Sequence, residues 1–369
     1  MLSRRGCFVK CEGQTRWNLL LWKKLIEGDV SDILHAECCV CPPGSKENIM
    51  QSQLKLPVNV ENLFCCPVCR TSLSLVSDQL VCNNTACDTH FPVVDGIPVL
   101  INELTSAFSI DDFVHHRKTT RAHRGRIKKL LVSALPKIGM NMKATRNYKE
   151  FAQMLLGQSA RPRVLIIGGS IAGKGMKSFL DLPSLEIVES DVTFGPRTNL
   201  ICDAHDLPFV NDFFDGVVVQ VVLEHVADPF RCVEEIHRVL KKQGLVYAET
   251  PFMQQVHSAP YDFTRFTHLG HRRLFRRFEE IDSGPTGGPG MALAWSCYHF
   301  LLSFTTSKFI RKLIALFSML TLFWLKYIDY YLINKPGAFD ASSQYYFMGR
   351  KTDHALPDKE LIKLYRGAL

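Results

Sequence analysis

No apolar run marks a membrane span in this chain of 369 residues. Ala292 to Phe304 and Leu313 to Leu325 have thirteen residues each, too few to cross a bilayer as a straight helix. No secretory signal is visible: the stretch Trp17-Asn18-Leu19-Leu20-Leu21-Trp22 is too short and sits too far in. Internal repeats and low-complexity tracts are missing, and a composition of 46% hydrophobic and 22% charged residues excludes wholesale disorder, collagen and coiled coil. Neither sign of charge dominates. A net charge of +8 admits an anionic partner such as RNA, phospholipid or nucleotide without requiring one. A disulfide framework is also excluded, because the 13 cysteines are odd in number and ten of them crowd between Cys7 and Cys87. A reducing, cytoplasmic location is therefore expected. The length sets an expectation of two to three domains.

What is present begins with those cysteines. Residues 1–58 read as a poorly ordered leader, with Cys38-Cys39-Val40-Cys41 as free thiols in a loop. Cys66-Pro67-Val68-Cys69 is followed by Cys82 and Cys87. Two such knuckles on facing hairpins form a tetrahedral sulfur site suited to zinc. Four thiolates leave no open coordination position, so the role is structural. With the following Phe91-Pro92-Val93-Val94-Asp95-Gly96-Ile97-Pro98-Val99-Leu100, the stretch resembles the small zinc-ribbon activator of tRNA, rRNA and release-factor methyltransferases. That likeness implies a possible protein partner for the ribbon.

Beyond Pro162, strands alternate with helices, predicting a parallel sheet covered on both faces. Val164-Leu165-Ile166-Ile167 runs into Gly168-Gly169-Ser170-Ile171-Ala172-Gly173-Lys174-Gly175. The loop alone allows three readings. A nucleotide-triphosphate loop lacks its Ser or Thr at Gly175, a dinucleotide loop has Ser170 at the middle glycine, and the looser loop of S-adenosylmethionine (SAM) methyltransferases fits. A second strand ends near Asp191, with Glu189 as the alternative acid for ribose hydroxyls. A third strand ends at Asp203-Ala204, before Asp206-Leu207-Pro208-Phe209. A fourth ends in Leu223-Glu224-His225-Val226, and a helix starts at Asp228-Pro229, runs to Lys242 and stops at Gly244.

This succession, with Phe214-Asp215 and His237-Arg238-Val239-Leu240, resembles the class I SAM-dependent methyltransferases of type 11. The resemblance implies a Rossmann-like seven-stranded α/β sheet with the small zinc ribbon ahead of it. It implies SAM held by Gly168, Gly169, Ser170, Gly173, Asp191, Asp203, Ala204 and Leu223. The family's usual acid two residues before the first glycine is replaced by Ile166. The acceptor is expected at the carboxyl ends of strands four and five, with His257, His225 and Tyr261 as candidates for proton transfer or acceptor contact and Asp262 with Arg265 ordering the loop.

The expected domains are a ribbon over 59–103, a basic helical linker over 104–160, the SAM-binding domain over 161–290, an apolar helical insertion over 291–343, and a last strand and tail over 344–369. A helix from Thr267 to Phe278 carries Arg272, Arg273, Arg276 and Arg277, a solvated face or, with the ten Lys/Arg between His115 and Arg146, a basic surface for RNA or anionic lipid. The insertion suits core packing or peripheral membrane contact through 291–333. Two other readings stay open: a non-catalytic methyltransferase-like scaffold and a P-loop nucleotide-binding protein. The acceptor itself, whether small molecule, lipid-like, RNA or protein, is not legible.

Overall fold

The computed structural model describes residues 54–56, 63–117 and 136–368. Apart from Leu54–Leu56, the leader lies outside the described residues, as do residues 118–135 of the basic stretch. The described residues all belong to one compact unit, Asn48–Leu369.

The centre of the sheet is built from strands that are apolar on both faces, as parallel strands between two layers must be. β5 (Arg163–Ile167) lies between β6 (Glu186–Asp191) and β8 (Phe214–Gln220), all parallel. β7 (Leu200–Cys202) follows on one side and β9 (Leu240–Pro251) on the other. The antiparallel β11 (Gln344–Lys351) inserts between β9 and β10 (Phe278–Gly287). The resulting order β7-β6-β5-β8-β9-β11-β10 reverses direction at β5/β8, where open sheets of this kind bind their ligands.

The expectation of seven strands is corrected to eleven. The ribbon's four antiparallel strands are β1 (Leu73–Val76), β2 (Gln79–Cys82), β3 (His90–Val94) and β4 (Ile97–Leu100). They continue the same sheet, because β4 pairs in parallel with β7 through Val99–Ile201 and Leu100–Cys202. An edge strand with unpaired backbone groups would otherwise face water. The core is shared as well: Leu63, Phe64, Leu80 and Phe91 of the ribbon pack in one cluster with Phe209, Phe214 and Leu165. These four strands and the central sheet thus share one sheet and one core.

On the opposite face, α1 (Ile110–Val114) sets Phe113 against Val99 and Ile201, and α2 (Ala144–Gln158) and α3 (Lys177–Leu180) cover β5 through Tyr148, Phe151 and Phe179. On the ribbon's side, α4 (Pro229–Val239) covers the sheet. Its start is as expected: the Asp228 side chain accepts from Arg231 N at 3.0 Å, with Pro229 in the first turn. Its end is not. The helix stops at Val239, β9 starts at Leu240, and Lys241–Gly244 bulge from the register between Phe214–Leu240 and Gly216–Leu245. Gln243 takes the left-handed backbone of that turn.

The arginine-rich helix is shorter than expected, α5 (His268–Leu274), capped by Thr267. Its arginines and those just after it each face an acid, Arg273 with Asp358 at 3.7 Å, while Arg273, Arg276 and Arg277 stay partly exposed. Arg272 is buried, pairs with Glu280 at 3.0 Å and donates to the Phe275 and Phe278 carbonyls. Arg277 pairs with Glu234 at 2.6 Å, and Arg276 with Asp358 at 3.3 Å.

Between β10 and β11 stands the insertion: α6 (Pro289–Ser303), α7 (Lys308–Thr321), α8 (Leu325–Leu332) and α9 (Gly337–Ala341). α6 opens on Gly288-Pro289-Gly290 and carries no cap of its own. Asp329 of α8 supplies one, accepting from Gly290 N at 2.7 Å and Met291 N at 2.9 Å while fully buried. No described helix is long and apolar enough to cross a membrane.

Candidate functional site

The four ribbon cysteines come together as their spacing anticipates. The sulfurs of Cys66, Cys69, Cys82 and Cys87 all lie within 4.8 Å of one another, with Cys69–Cys82 at 3.4 Å and Cys66–Cys87 at 3.8 Å. Four sulfurs about 2.3 Å from a zinc ion sit about 3.8 Å apart, so the donor set fits that metal in size and chemistry. Burial pushes the Cys66 thiol up to about 12, whereas a hydrogen bond from the Thr71 side chain draws Cys69 down to about 6. The adjacent Cys65 points elsewhere: its thiol donates to the Phe209 carbonyl at 3.2 Å.

The glycine loop leaves the carboxyl end of β5 and folds against the end of β6. Gly168 and Gly169 donate to the Ser190 carbonyl at 2.8 and 3.0 Å. At Gly168 φ is +78°, and a Cβ would stand 2.4 Å from the Val222 side chain. At Gly173 a Cβ would overlap Gln220 Oε1. Backbone conformation and close approach therefore both require glycine at Gly168. Asp191 ends β6 and accepts from Ser170 N at 3.0 Å, which fixes the carboxylate at the mouth of the loop; burial pushes its carboxyl above the usual range. Glu189, the second choice, is committed to Arg197 at 2.8 Å.

Asp203 caps the turn Ala204–Asp206. Its carboxylate accepts from His205 N at 3.0 Å, His205 Nδ1 at 2.6 Å and Ser106 Oγ at 2.6 Å. Burial would raise this carboxyl, but the hydrogen bonds from His205 outweigh it and hold it below its ordinary value. Ala204 and Leu223 are both buried in the core, so Leu223 offers a cofactor only its backbone.

Beyond the carboxyl ends of β8 and β9 respectively, His225 and His257 lie together with ring centroids 4.9 Å apart. His225 Nδ1 donates to the Tyr261 carbonyl at 2.7 Å, and its Nε2 faces Glu224 Oε1 at 3.6 Å. His257 Nδ1 lies 3.4 Å from the Gln255 carbonyl and 3.5 Å from Asp262, and its Nε2 faces the same Glu224 oxygen at 3.9 Å. Burial, with His225 beside it, holds the His257 imidazole below its usual value. Glu224 is fully buried, neither carboxylate oxygen has a hydrogen-bond partner, and burial pushes its carboxyl up to about 8. The Tyr261 ring lies against Phe108, 5.5 Å between centroids. Arg265 ties the loop together by binding Asp262 and donating to the Gln254 and Gln255 carbonyls at 2.8 and 3.2 Å. An open cleft of about 460 Å³ lies beside this cluster, lined by Gln255, Asp262, Arg265 and, from α6, His299.

Sequence reasoning missed two groups of residues. Gln220, Glu249 and Asn141 form a buried polar knot: Glu249 accepts from Gln220 at 2.9 Å and Asn141 at 2.7 Å. The even spacing of Gln220 and Glu249 after apolar strand residues was the available signal. The second is the seam with the ribbon. Asp206 accepts from Thr105 at 2.5 Å, Arg231 at 2.5 Å and Asn102 at 3.2 Å, and pairs with Arg70 at 3.4 Å. Cys65 N donates to the Pro208 carbonyl at 3.0 Å, and the Phe64 ring lies tilted against Phe209 with centroids 5.7 Å apart. Asp206-Leu207-Pro208-Phe209 is where the ribbon docks.

A family model described as a methyltransferase domain matches residues 181–248. No curated protein sequence matches the chain. Among solved structures, the chain is similar to a complex between the Haloferax volcanii Trm112 methyltransferase activator and a methyltransferase (17% identity, 56% of this chain, 92% of that one, TM-score 0.34). It is similar to Burkholderia thailandensis 1,6-didemethyltoxoflavin-N1-methyltransferase with bound S-adenosylhomocysteine (14%, 77%, 100%, 0.34). A third is Haemonchus contortus phosphoethanolamine N-methyltransferase 2 with SAM (16%, 56%, 53%, 0.35). Likenesses this distant transfer neither a substrate nor a residue's role.

Proposed function

We propose that the chain is a SAM-dependent methyltransferase whose ribbon is held by a structural zinc ion. One observation carries the reading. The glycine loop, Asp191 and Asp203-Ala204 all emerge at the carboxyl edge of the sheet beside the reversal in strand order, inside or next to the segment that matches a methyltransferase domain. In this reading the loop backbone of Gly168 to Gly173 approaches the methionine portion, and Asp191 accepts from the ribose hydroxyls. The backbone after Asp203 meets the adenine. SAM brings an activated methyl group, so the protein's task is alignment and removal of a proton. His257 and His225, beyond the ends of β9 and β8, stand where an acceptor beside the donor would lose that proton.

The test is a calorimetric titration of the zinc-replete chain with SAM, with Asp191→Ala as control. Binding in the parent that is lost in the variant supports the donor site. A folded parent that shows no heat at millimolar SAM overturns the enzyme reading in favour of a scaffold.

The acceptor side favours a membrane surface. Phe309, Leu313, Leu316, Phe317 and Leu320 of α7 are all exposed. Trp324, Tyr327, Tyr330 and Tyr331 follow, likewise exposed, as aromatics at a headgroup boundary would be. From Ser283 to Ile328 the sequence has no Asp or Glu, while Lys308, Arg311 and Lys312 stand at the start of α7. An apolar face with a purely cationic rim is complementary to an anionic bilayer. We infer that α7 lies in such a surface and turns the cleft beside α6 toward a lipid-like acceptor.

A further inference from the structure

Glu224, His225 and His257 offer one ligand atom each, and these atoms lie within 4.8 Å of one another. Their arrangement differs from that of residues knitting a loop. Each imidazole turns its Nδ1 outward to a protein oxygen: His225 to the Tyr261 carbonyl at 2.7 Å, His257 toward the Gln255 carbonyl and Asp262 at 3.4 and 3.5 Å. A neutral ring that donates from Nδ1 keeps its lone pair on Nε2. Both Nε2 atoms face the same oxygen of Glu224, at 3.6 and 3.9 Å. Outer-sphere oxygens that orient imidazoles in this way are the usual support of metal-bound histidine.

Glu224 supplies the second, independent observation. Its side chain is wholly buried, and neither of its oxygens has a hydrogen-bond partner. A carboxylate left this way is strongly unfavourable unless a cation or a proton compensates it. A proton would remove the charge but leave a buried O–H with no acceptor within about 2.5–3.0 Å, whereas a cation held between the carboxylate and the two imidazoles would satisfy the group directly. A cation about 2.1 Å from each donor would hold the donors roughly 3 to 3.5 Å apart. The two carboxylate–imidazole separations, 3.6 and 3.9 Å, lie a few tenths of an ångström above the upper end of that range.

We propose that Glu224, His225 and His257 form a binding site for a first-row divalent cation, of the two-histidine, one-carboxylate kind that manganese, iron and zinc accept. The site is distinct from the cysteine cluster in chemistry and place: nitrogen and oxygen donors beyond the ends of β8 and β9 against four sulfurs in the ribbon. Three protein ligands leave coordination positions open, and Asp262, 3.5 Å from His257 Nδ1, also lines the neighbouring cleft with Gln255 and Arg265. The acceptor class that fits is one presenting an oxygen, a hydroxyl or enol, to the cation. Coordination would acidify that oxygen, and with both Nε2 lone pairs held by the cation its proton would pass to solvent, in place of the transfer to a histidine that the unmetallated pair would offer. The oxygen–carbon bond would then form as the carbon–sulfur bond of SAM breaks, with the electron pair left on sulfur. This use of the site rests on the methyltransferase reading; occupancy by a cation does not.

The experiment is equilibrium dialysis of the full chain against micromolar cobalt(II), with metal counted by mass spectrometry and the visible spectrum recorded. His225→Ala/His257→Ala and, separately, Glu224→Gln are each expected to hold one cation fewer than the parent while keeping the thiolate-to-cobalt charge-transfer bands of the sulfur site. Cys69→Ser is expected to lose those bands and keep a weaker spectrum of nitrogen and oxygen ligation. Variants that hold as many cations as the parent overturn the proposal. So does a parent spectrum that consists of thiolate bands alone and vanishes entirely in Cys69→Ser.

Discussion

A single side-chain atom decides several positions in this fold. Gly168→Ala would place a Cβ 2.4 Å from the Val222 side chain on a backbone with φ of +78°. The expected outcome is a loss of about 1–3 kcal/mol in denaturant unfolding, with SAM binding weakened beyond calorimetric detection. Ile166, where the methyltransferases that the sequence resembles carry an acid, is buried in the apolar layer beneath α2. Ile166, Val218 and Tyr247 form one row across the sheet, and Gln220 with Glu249 stands two residues further along the same face. Glu249 is therefore placed to supply the charge that Ile166 lacks. Glu249→Gln is expected to weaken SAM binding about tenfold or more at unchanged Tm; a fall in Tm with unchanged affinity would mark Glu249 as purely structural. The glycines, Asp191 and the four cysteines were legible because local geometry or ligand count demands those residue types at short spacing. Glu224's isolation and Glu249's knot were not, because each depends on which strands lie side by side, and that is settled by long-range pairing.

Helices and strands were legible where periodicity and capping agreed, as at Asp228-Pro229, and illegible where a distant residue did the capping. Asp329 caps α6 from nearly forty residues away. Removing it strands two buried N–H groups, so Asp329→Ala is expected to cost about 2 kcal/mol, read as a lowered unfolding midpoint, while Asp329→Asn recovers part of the loss. The end of α4 was misplaced because Gly244 looked like a helix stop, whereas pairing with β8 claims Leu240 for β9. α7 shows the opposite limit. Its apolar run was plain in the sequence, but only the structure leaves Phe309, Phe317 and Leu320 facing outward. Flotation with vesicles rich in phosphatidylserine should carry the chain to the top of a gradient, and Phe309→Glu/Phe317→Glu should leave it at the bottom. Binding unchanged by that variant would remove α7 from the contact.

At the scale of the whole molecule, buried histidines set the response to acid. Burial holds His271 down to about 3 and His268 down to about 4. The folded state thus binds fewer protons than the unfolded chain, whose histidines titrate near 6.5. Their contribution is fully present above about pH 6.5 and is lost as pH falls from there toward the folded values. His271→Phe should flatten the slope of stability against pH between about 6 and 4 by close to one proton, about 1.4 kcal/mol per pH unit. An unchanged slope would mean that His271 is already charged in the fold. The central sheet order was implied by the family resemblance, whereas the union of ribbon and sheet was not, since β4 carries no sequence mark of the strand it will join.

That union has a consequence in mass action. A cover that reached β7 as a separate molecule would leave it on dilution, and the bare edge would then be free to pair with another chain. Here β4 is tethered to β7 through its own polypeptide, and its effective concentration does not change when the protein is diluted. The state of the edge is governed instead by whatever holds the ribbon folded. If that is the metal at Cys66, Cys69, Cys82 and Cys87, a chelator will start self-association at a rate set by the loss of the ion, the same at low protein concentration as at high until chains must meet.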